Sequence, residues 1–307
     1  MINFHRQSQF ELYNSVRNTL ISDPDILIEL ENFLTGYIVS VIKSNLVEIQ
    51  NDYNEASYLY PFWQNHPPED RGRQPIRDQY PWIEVGEHAV GAKLPRLLAK
   101  SFDVRDTGIP AGTDQRFVIS SKKILQVTQG LTDSAWLFID IKSVGPRDDK
   151  HHAVMSHNQI SGDGVWQNSQ EGVRNSKIQA IGSRKKFHDF CPSIPPIYIL
   201  SDATIAPVVI IALKPVYKML ESGHSEARNS GQPLGRIDIA CIPNGLLLTQ
   251  NPNYLNTYEG LFFPGKDDKS KNPKKLRARV SFQLLKEIHS WRVESICPMS
   301  LTLENPD

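Results

Sequence analysis

Apolar positions in the first hundred residues recur every three or four places, and from about residue 109 they fall in short runs between turn formers. The first pattern predicts helices and the second strands. Residues 8–21 read as a short helix ending at Ser22-Asp23-Pro24, which opens the next one. That second helix extends to about residue 49, with Leu27, Leu30, Leu34, Tyr37 and Val41 as a stripe for the core or for a second subunit. Residues 51–80, rich in Tyr, Pro, Asp and Arg, lack periodicity and read as an ordered loop, since Tyr58, Tyr60, Phe62 and Trp63 favour burial. A further helix is predicted over 82–102, interrupted near Pro95, with Ile83, Glu87, Val90 and Leu94 on one face.

Strands are predicted at 116–119, 124–128, 135–141, 197–201, 205–213, 236–241 and 279–284. Helices, then strands, then a helix make a mixed α/β domain. The expectation is one domain over 1–307, mainly helical to 105 and sheet-rich from 106. A polar stretch of about fifty residues separates Pro146 from Pro196. Structureless loops of that length are rare and usually functional, and this one is well placed to meet a ligand near Lys142.

Composition narrows the classes. The chain has 307 residues, enough for a sizeable core. No apolar run approaches the roughly 18 residues of a membrane span, and no signal-peptide pattern opens the chain, so a soluble intracellular protein is expected. Cys191, Cys241 and Cys297 are far apart without a Cys-x-x-Cys, which argues against a disulfide framework and makes buried thiols the default. The formal net charge is zero, against a protein that coats nucleic acid indiscriminately. Charge is nonetheless uneven: residues 1–100 carry 9 basic and 13 acidic groups, 142–186 carry 8 and 4, and 266–279 carry 7 and 2. Two basic segments in a neutral chain suggest a discrete polyanion-binding surface, although solvated loops would look similar.

The candidate chemistry lies at the end of the apolar run Trp136-Leu137-Phe138-Ile139. Asp140 and Lys142 stand two apart, so on a strand they project to one side of the sheet. Burying both beside a core strand is costly unless they hold something, such as a divalent metal and an anion, the needs of phosphodiester hydrolysis. Asp148-Asp149-Lys150 and Asp267-Asp268-Lys269 repeat the Asp-x-Lys spacing, but in polar loops. An edge-strand ion pair is the bland alternative for Asp140 and Lys142. A metal site needs a second carboxylate. Asp133 lies about 23 Å away along an extended strand. Asp114, before a strand that could pair with the central one, is better placed, and Glu87 is either a metal-site carboxylate or a boundary residue with its head in water. The Gly260–Lys266 segment nearly fits a phosphate loop, but Asp267 stands where a hydroxyl should bind magnesium. His151, His152 and His157 read as solvated.

Asp114 followed by Asp140-Ile141-Lys142 resembles the metal-site motif of the PD-(D/E)xK nucleases, with Thr113 in place of the usual Pro. Asn54-Glu55-Ala56, Pro81-Trp82-Ile83-Glu84-Val85-Gly86-Glu87, Phe138-Ile139-Asp140-Ile141-Lys142-Ser143-Val144-Gly145-Pro146-Arg147-Asp148, Ile205-Ala206-Pro207-Val208-Val209 and Pro264-Gly265-Lys266-Asp267-Asp268 narrow the resemblance to the BglI family of type II restriction endonucleases. It implies a mixed central β-sheet flanked by helices in the restriction-endonuclease-like core. It also implies Asp114, Asp140 and the Ile141 carbonyl as Mg²⁺ ligands, Lys142 as the catalytic ammonium, and Asp148, Lys266, Asp268, Arg277 and Arg279 as base readers. The implied enzyme is a cytoplasmic prokaryotic homodimer, with no nucleotide cofactor, that cuts double-stranded DNA at an interrupted palindrome of GCC/GGC half-sites. From the residues alone, a structure-specific repair or recombination nuclease of the same fold and a noncatalytic DNA-binding module stay open.

Overall fold

Eight consecutive residues, Ser134–Ile141, are all buried, and their side chains alternate between two separate hydrophobic cores. A strand covered on both faces reads as a continuous apolar run, and this one sits at the centre of the fold. The computed structural model describes residues 4–63, 82–109, 111–168, 172–182, 187–221, 231–251, 254–265 and 277–298. From the N-terminus run helices α1 (Phe4–Ser22), α2 (Asp25–Ser44), α3 (Leu46–Trp63), α4 (Trp82–Ala89) and α5 (Leu94–Leu98). Strands β1 (Asp103–Asp106) and β2 (Gln115–Ser120), helix α6 (Lys122–Val127) and strand β3 (Ser134–Ile141) follow. Next come β4 (His152–Ser156), the hairpin of β5 (Val165–Asn168) with β6 (Gly172–Arg174), and that of β7 (Ile178–Ile181) with β8 (Phe187–Phe190). The last part holds β9 (Ile197–Ile199), β10 (Ile205–Tyr217), β11 (Leu234–Ile242), α7 (Gly245–Gln250), β12 (Phe262–Phe263), β13 (Arg277–Ser281), α8 (Phe282–Ile288) and β14 (Val293–Ile296).

The main sheet runs β1-β2-β3-β10-β11-β14, with β9 pairing the start of β10. Only the central β3–β10 pair is parallel, and the other neighbours are antiparallel. The architecture is therefore the expected mixed α/β sheet flanked by helices. Leu137, Ile139 and Ile141 share a core with α2, α4 and α5, whereas Trp136 and Phe138 share one with α1, β4 and β13. A small sheet, β12-β13-β4, covers that second side. Among the described residues no helix is long and apolar enough to cross a membrane.

Several expectations need correction. Residues 51–63 are helical, not looped. Over residues 46–59, helix α3 buries a narrow line, Ile49, Tyr53 and Ser57, and leaves Tyr58 and Leu59 exposed, so no broad apolar stripe marks that stretch. The face of α2 is rotated from the expected one: Ile38 and Ile42 are buried, and Tyr37 and Val41 only half so. Polar Glu31 and Thr35 lie on the buried face and disguise it. Residues 124–127 belong to a helix, with Thr128 at its C-cap, because the Ser121 hydroxyl accepts from Ile124 N at 3.2 Å and caps it. Similarly, Ser281 ends β13 and caps α8, accepting from Leu284 N at 3.3 Å. The helix break near Pro95 falls earlier, at the 3₁₀ turn Gly91–Lys93, and Pro95 lies in the first turn of α5, where a missing N–H is harmless. The 146–196 stretch is built of short strands rather than structureless loop. All three cysteines are free, and only Cys241 is buried.

Candidate active site

The even-numbered side chains of β3 descend through Trp136 and Phe138 to Asp140, which is wholly buried. Pairing of Gln115 with Ile139 makes Asp114 and Asp140 the next opposed positions on β2 and β3. Asp114 Oδ2 accepts a hydrogen bond from Ile141 N at 2.6 Å, which fixes the first carboxylate against the main chain beside the second. Lys142 N donates to Leu213 O at 2.7 Å, continuing the parallel ladder one step past the strand. The Lys142 ammonium straddles Asp140, 2.9 Å from Oδ1 and 2.7 Å from Oδ2, with its side chain 28% exposed. The ammonium donates to Oδ1 and forms an ion pair with the buried Oδ2, which has no other partner among the described residues.

The third partner of Asp140 is Gln159, whose Nε2 donates to Oδ1 and, at 2.8 Å, to Gly112 O. Burial raises the Asp140 pKa to about 7, the Lys142 charge and its hydrogen bond pull it down, and the Asp114 and Glu87 charges push it up. Glu87 thus belongs to the site electrostatically. Helix α4 brings it there by packing closely on the chain after β3: a Cβ at Gly86 would lie 2.7 Å from Ser143 Cβ.

A cavity of about 560 Å³ opens in front of the buried Asp140, lined by Glu87, Asp114, Lys142, Ser156, Gln159 and Arg277 among others. Among the described residues no three His, Cys, Asp or Glu side chains form a metal cage. Two opposed carboxylates with main-chain oxygens nearby suit a different kind of ion. Mg²⁺ commonly takes one or two carboxylates and keeps several waters, and hard oxygen donors select it over softer metals. Oδ2 of Asp140, buried and without a partner beyond the Lys142 ammonium, fits that demand.

Across the cavity, β13 presents Arg277 and Arg279 on one face while Ala278 and Val280 enter the core. Arg279 lies over Gly265, where a Cβ would fall 1.1 Å from its Nη1. Beside it, His152 stacks edge-on against Phe263 at 5.3 Å, and burial together with Arg279 and nearby cations lowers its pKa to about 4. It is half-buried rather than solvated as expected. Asp148 is exposed and meets Arg147 at 3.3 Å. Lys266 and Asp268 lie outside the described residues.

Sequence reasoning missed the supports. Asp149 accepts from Lys214 at 2.8 Å and from Arg236 at 2.7 and 2.8 Å, which bolts the loop bearing Asp148 to β10 and β11. Asp149 is half-buried, and these partners hold its carboxyl below the usual range. Gln159 was also missed, although Ser156-His157-Asn158-Gln159 has the spacing of a capping box.

A family profile described as restriction endonuclease BglI matches residues 8–296. The type II restriction enzyme BglI of Bacillus subtilis is 45% identical over 292 residues, covering 94% of this chain and 96% of that one. The crystal structure of the restriction endonuclease BglI bound to its DNA recognition sequence superposes with a TM-score of 0.86 at 44% identity, over 97% of this chain and 99% of that one. Tetrameric restriction endonuclease SfiI bound to cognate DNA is similar in fold, with a TM-score of 0.53 at 14% identity over 85% and 87% of the two chains.

Proposed function

The chain belongs to the family of the restriction endonuclease BglI and is a type II restriction endonuclease that cuts DNA; from that premise we propose that it makes site-specific double-strand cuts by Mg²⁺-dependent hydrolysis, acting as a cytoplasmic homodimer. The observation that carries this reading is that Asp114, Lys142 and Arg277 line one cavity, with the buried Asp140 held directly behind Lys142.

Asp114, Asp140 and the Ile141 carbonyl oxygen would hold the ion, and magnesium there would supply polarisation of the attacking water and of the leaving 3′-oxygen. Asp114 arrives preset, because Ile141 N restrains one of its oxygens. Asp140 is desolvated by the sheet and stays in place through Lys142 and Gln159. The Lys142 ammonium, partly exposed to the cavity, stabilises charge that builds on the phosphate or orients the water.

Sequence reading falls to Lys266, Arg277 and Arg279, which donate to guanine O6 and N7, and to Asp148 and Asp268, which accept from cytosine N4. This donor and acceptor set suits GCC/GGC half-sites. Two-fold symmetry of a dimer matches an interrupted palindrome, one subunit serving each half-site.

Digestion of a plasmid of known sequence, with Mg²⁺ and with EDTA, tests the proposal. Discrete fragments that need Mg²⁺ and whose ends share GCC/GGC half-sites are expected. A smear, or cleavage at junctions without a common sequence, refutes it. Sedimentation with and without a cognate duplex checks the dimer.

A further inference from the structure

Gln159 sits in the 3₁₀ turn after β4, is almost fully buried, and uses all of its polar capacity. Its Oε1 accepts from Ser156 N at 2.7 Å, closing the capping box of that turn. Its Nε2 donates to Gly112 O at 2.8 Å, in the turn that delivers Asp114, and to Oδ1 of Asp140. Gly112 N in turn donates to Asn158 O at 3.1 Å, so the two turns are stitched together from both sides. Ser156, at the other end of the amide, is the register partner of Arg277 on β13. One side chain therefore joins the strand pair bearing Arg277 to both carboxylate-bearing segments.

The residue type is informative. A capping box is closed equally well by Glu or Gln, because only the acceptor oxygen is needed. Glu here would set a carboxylate against Asp140, and only Gln both caps the turn and donates to a carboxylate.

We infer that Gln159 is a positioning residue that couples reading of the site by Arg277 to the orientation of Asp140. This rests on the nuclease reading above. When the cognate base pair draws Arg277 into place, β4 settles with it, and the amide holds Asp140 and the Gly112–Asp114 turn in the cutting arrangement. At a wrong base pair, β4 is displaced and the carboxylates go with it. Discrimination at the cutting step then exceeds discrimination at the binding step.

The test uses the full chain with Gln159→Glu, which keeps the cap and loses both donors, and Gln159→Leu, which adds no charge. Metal-free binding to a cognate duplex and to one altered at a single half-site base pair is measured, together with single-turnover cleavage of both in Mg²⁺. In at least one variant that keeps the wild-type melting temperature and cognate affinity, cleavage is expected to fall about 10- to 100-fold, the usual effect of losing a support to a ligand. The ratio of cognate to altered cleavage rates should shrink toward the ratio of binding constants. Wild-type cleavage rates, an unchanged ratio, or loss of stability, binding and cleavage together in both variants overturns the inference. Failure of the wild-type enzyme to cut at discrete sites would instead overturn the nuclease reading itself.

Discussion

Glu31 with Arg292 and Asp140 with Lys142 are ion pairs in which the carboxylate is wholly buried, and they end differently. Glu31 on α2 and Arg292 in the turn before β14 are both fully buried, 2.7 Å apart. Glu31 Oε1 accepts from Asn244 N at 2.6 Å, so both carboxylate oxygens are bonded. The guanidinium also donates to Tyr254 Oη at 3.2 Å and lies 4.5 Å from the Trp291 ring centre. Asp140 and Lys142 make an equally short contact, but Oδ2 has no partner beyond that ammonium, a second carboxylate stands opposite, and a cavity opens beside them. A buried pair whose carboxylate is fully bonded has no acceptor left for a cation, and it locks helix to sheet. A pair with an oxygen to spare is poorly satisfied on its own and ready for a cation.

Breaking the closed pair should have the largest effect. Glu31→Gln strands a buried guanidinium and is expected to lower unfolding stability by about 3–5 kcal/mol, read from a urea transition, with cleavage per folded molecule unchanged. Equal loss of specific activity would mean that the closed pair also serves the site. Breaking the open pair should reverse the pattern. Lys142→Ala is expected to reduce the single-turnover rate by about 10² to 10³ while cognate binding survives, and retained turnover would remove the ammonium from the mechanism.

A smaller effect is expected across the cavity. Arg277→Ala should cost about 1–3 kcal/mol of discrimination between specific and random DNA, measured by competition binding. Identical losses on both DNAs would make it a phosphate contact. The smallest effect sharpens the contrast most. The folded-state pKa of Asp140 is raised from 3.8 to about 7, so its contribution to stability is present below about pH 4 and is lost as pH rises to 7. In EDTA, Asp140→Asn should therefore be more stable than wild type at pH 8, by about 1 kcal/mol or more, and no more stable at pH 4, while being inactive. A variant less stable at pH 8 would show that the open pair holds the fold together as the closed one does.

The parts of the molecule visible in the sequence were those whose signals are local. Strand β3 announces itself because both of its faces are buried, and β10 does likewise. Asp140 and Lys142 stand out where that apolar run meets charge. Helix α3 was invisible because one narrow line of buried residues suffices where it packs. The buried face of α2 was misread because Glu31 looks like a solvent residue until Arg292, 261 positions away, is known to lie against it. Two Ser caps turned predicted strand into helix at 122–127 and 282–288, since a single side-chain hydrogen bond outweighed the β-preference of a short run. Glu87, Gln159 and Asp149 carry ordinary polar signatures, and only their neighbours give them a part.

The order of residues determined that a charged end would follow a doubly buried strand and that arginines two apart would share a face, because strand periodicity is a property of the chain itself. Whether Asp114 would meet Asp140, whether an amide would join them to Arg277, and which of two ion pairs would be left open were decided by packing. Those relations join segments tens to hundreds of positions apart, and pairing register and the close approach of α4 are set only when all the surfaces are buried together.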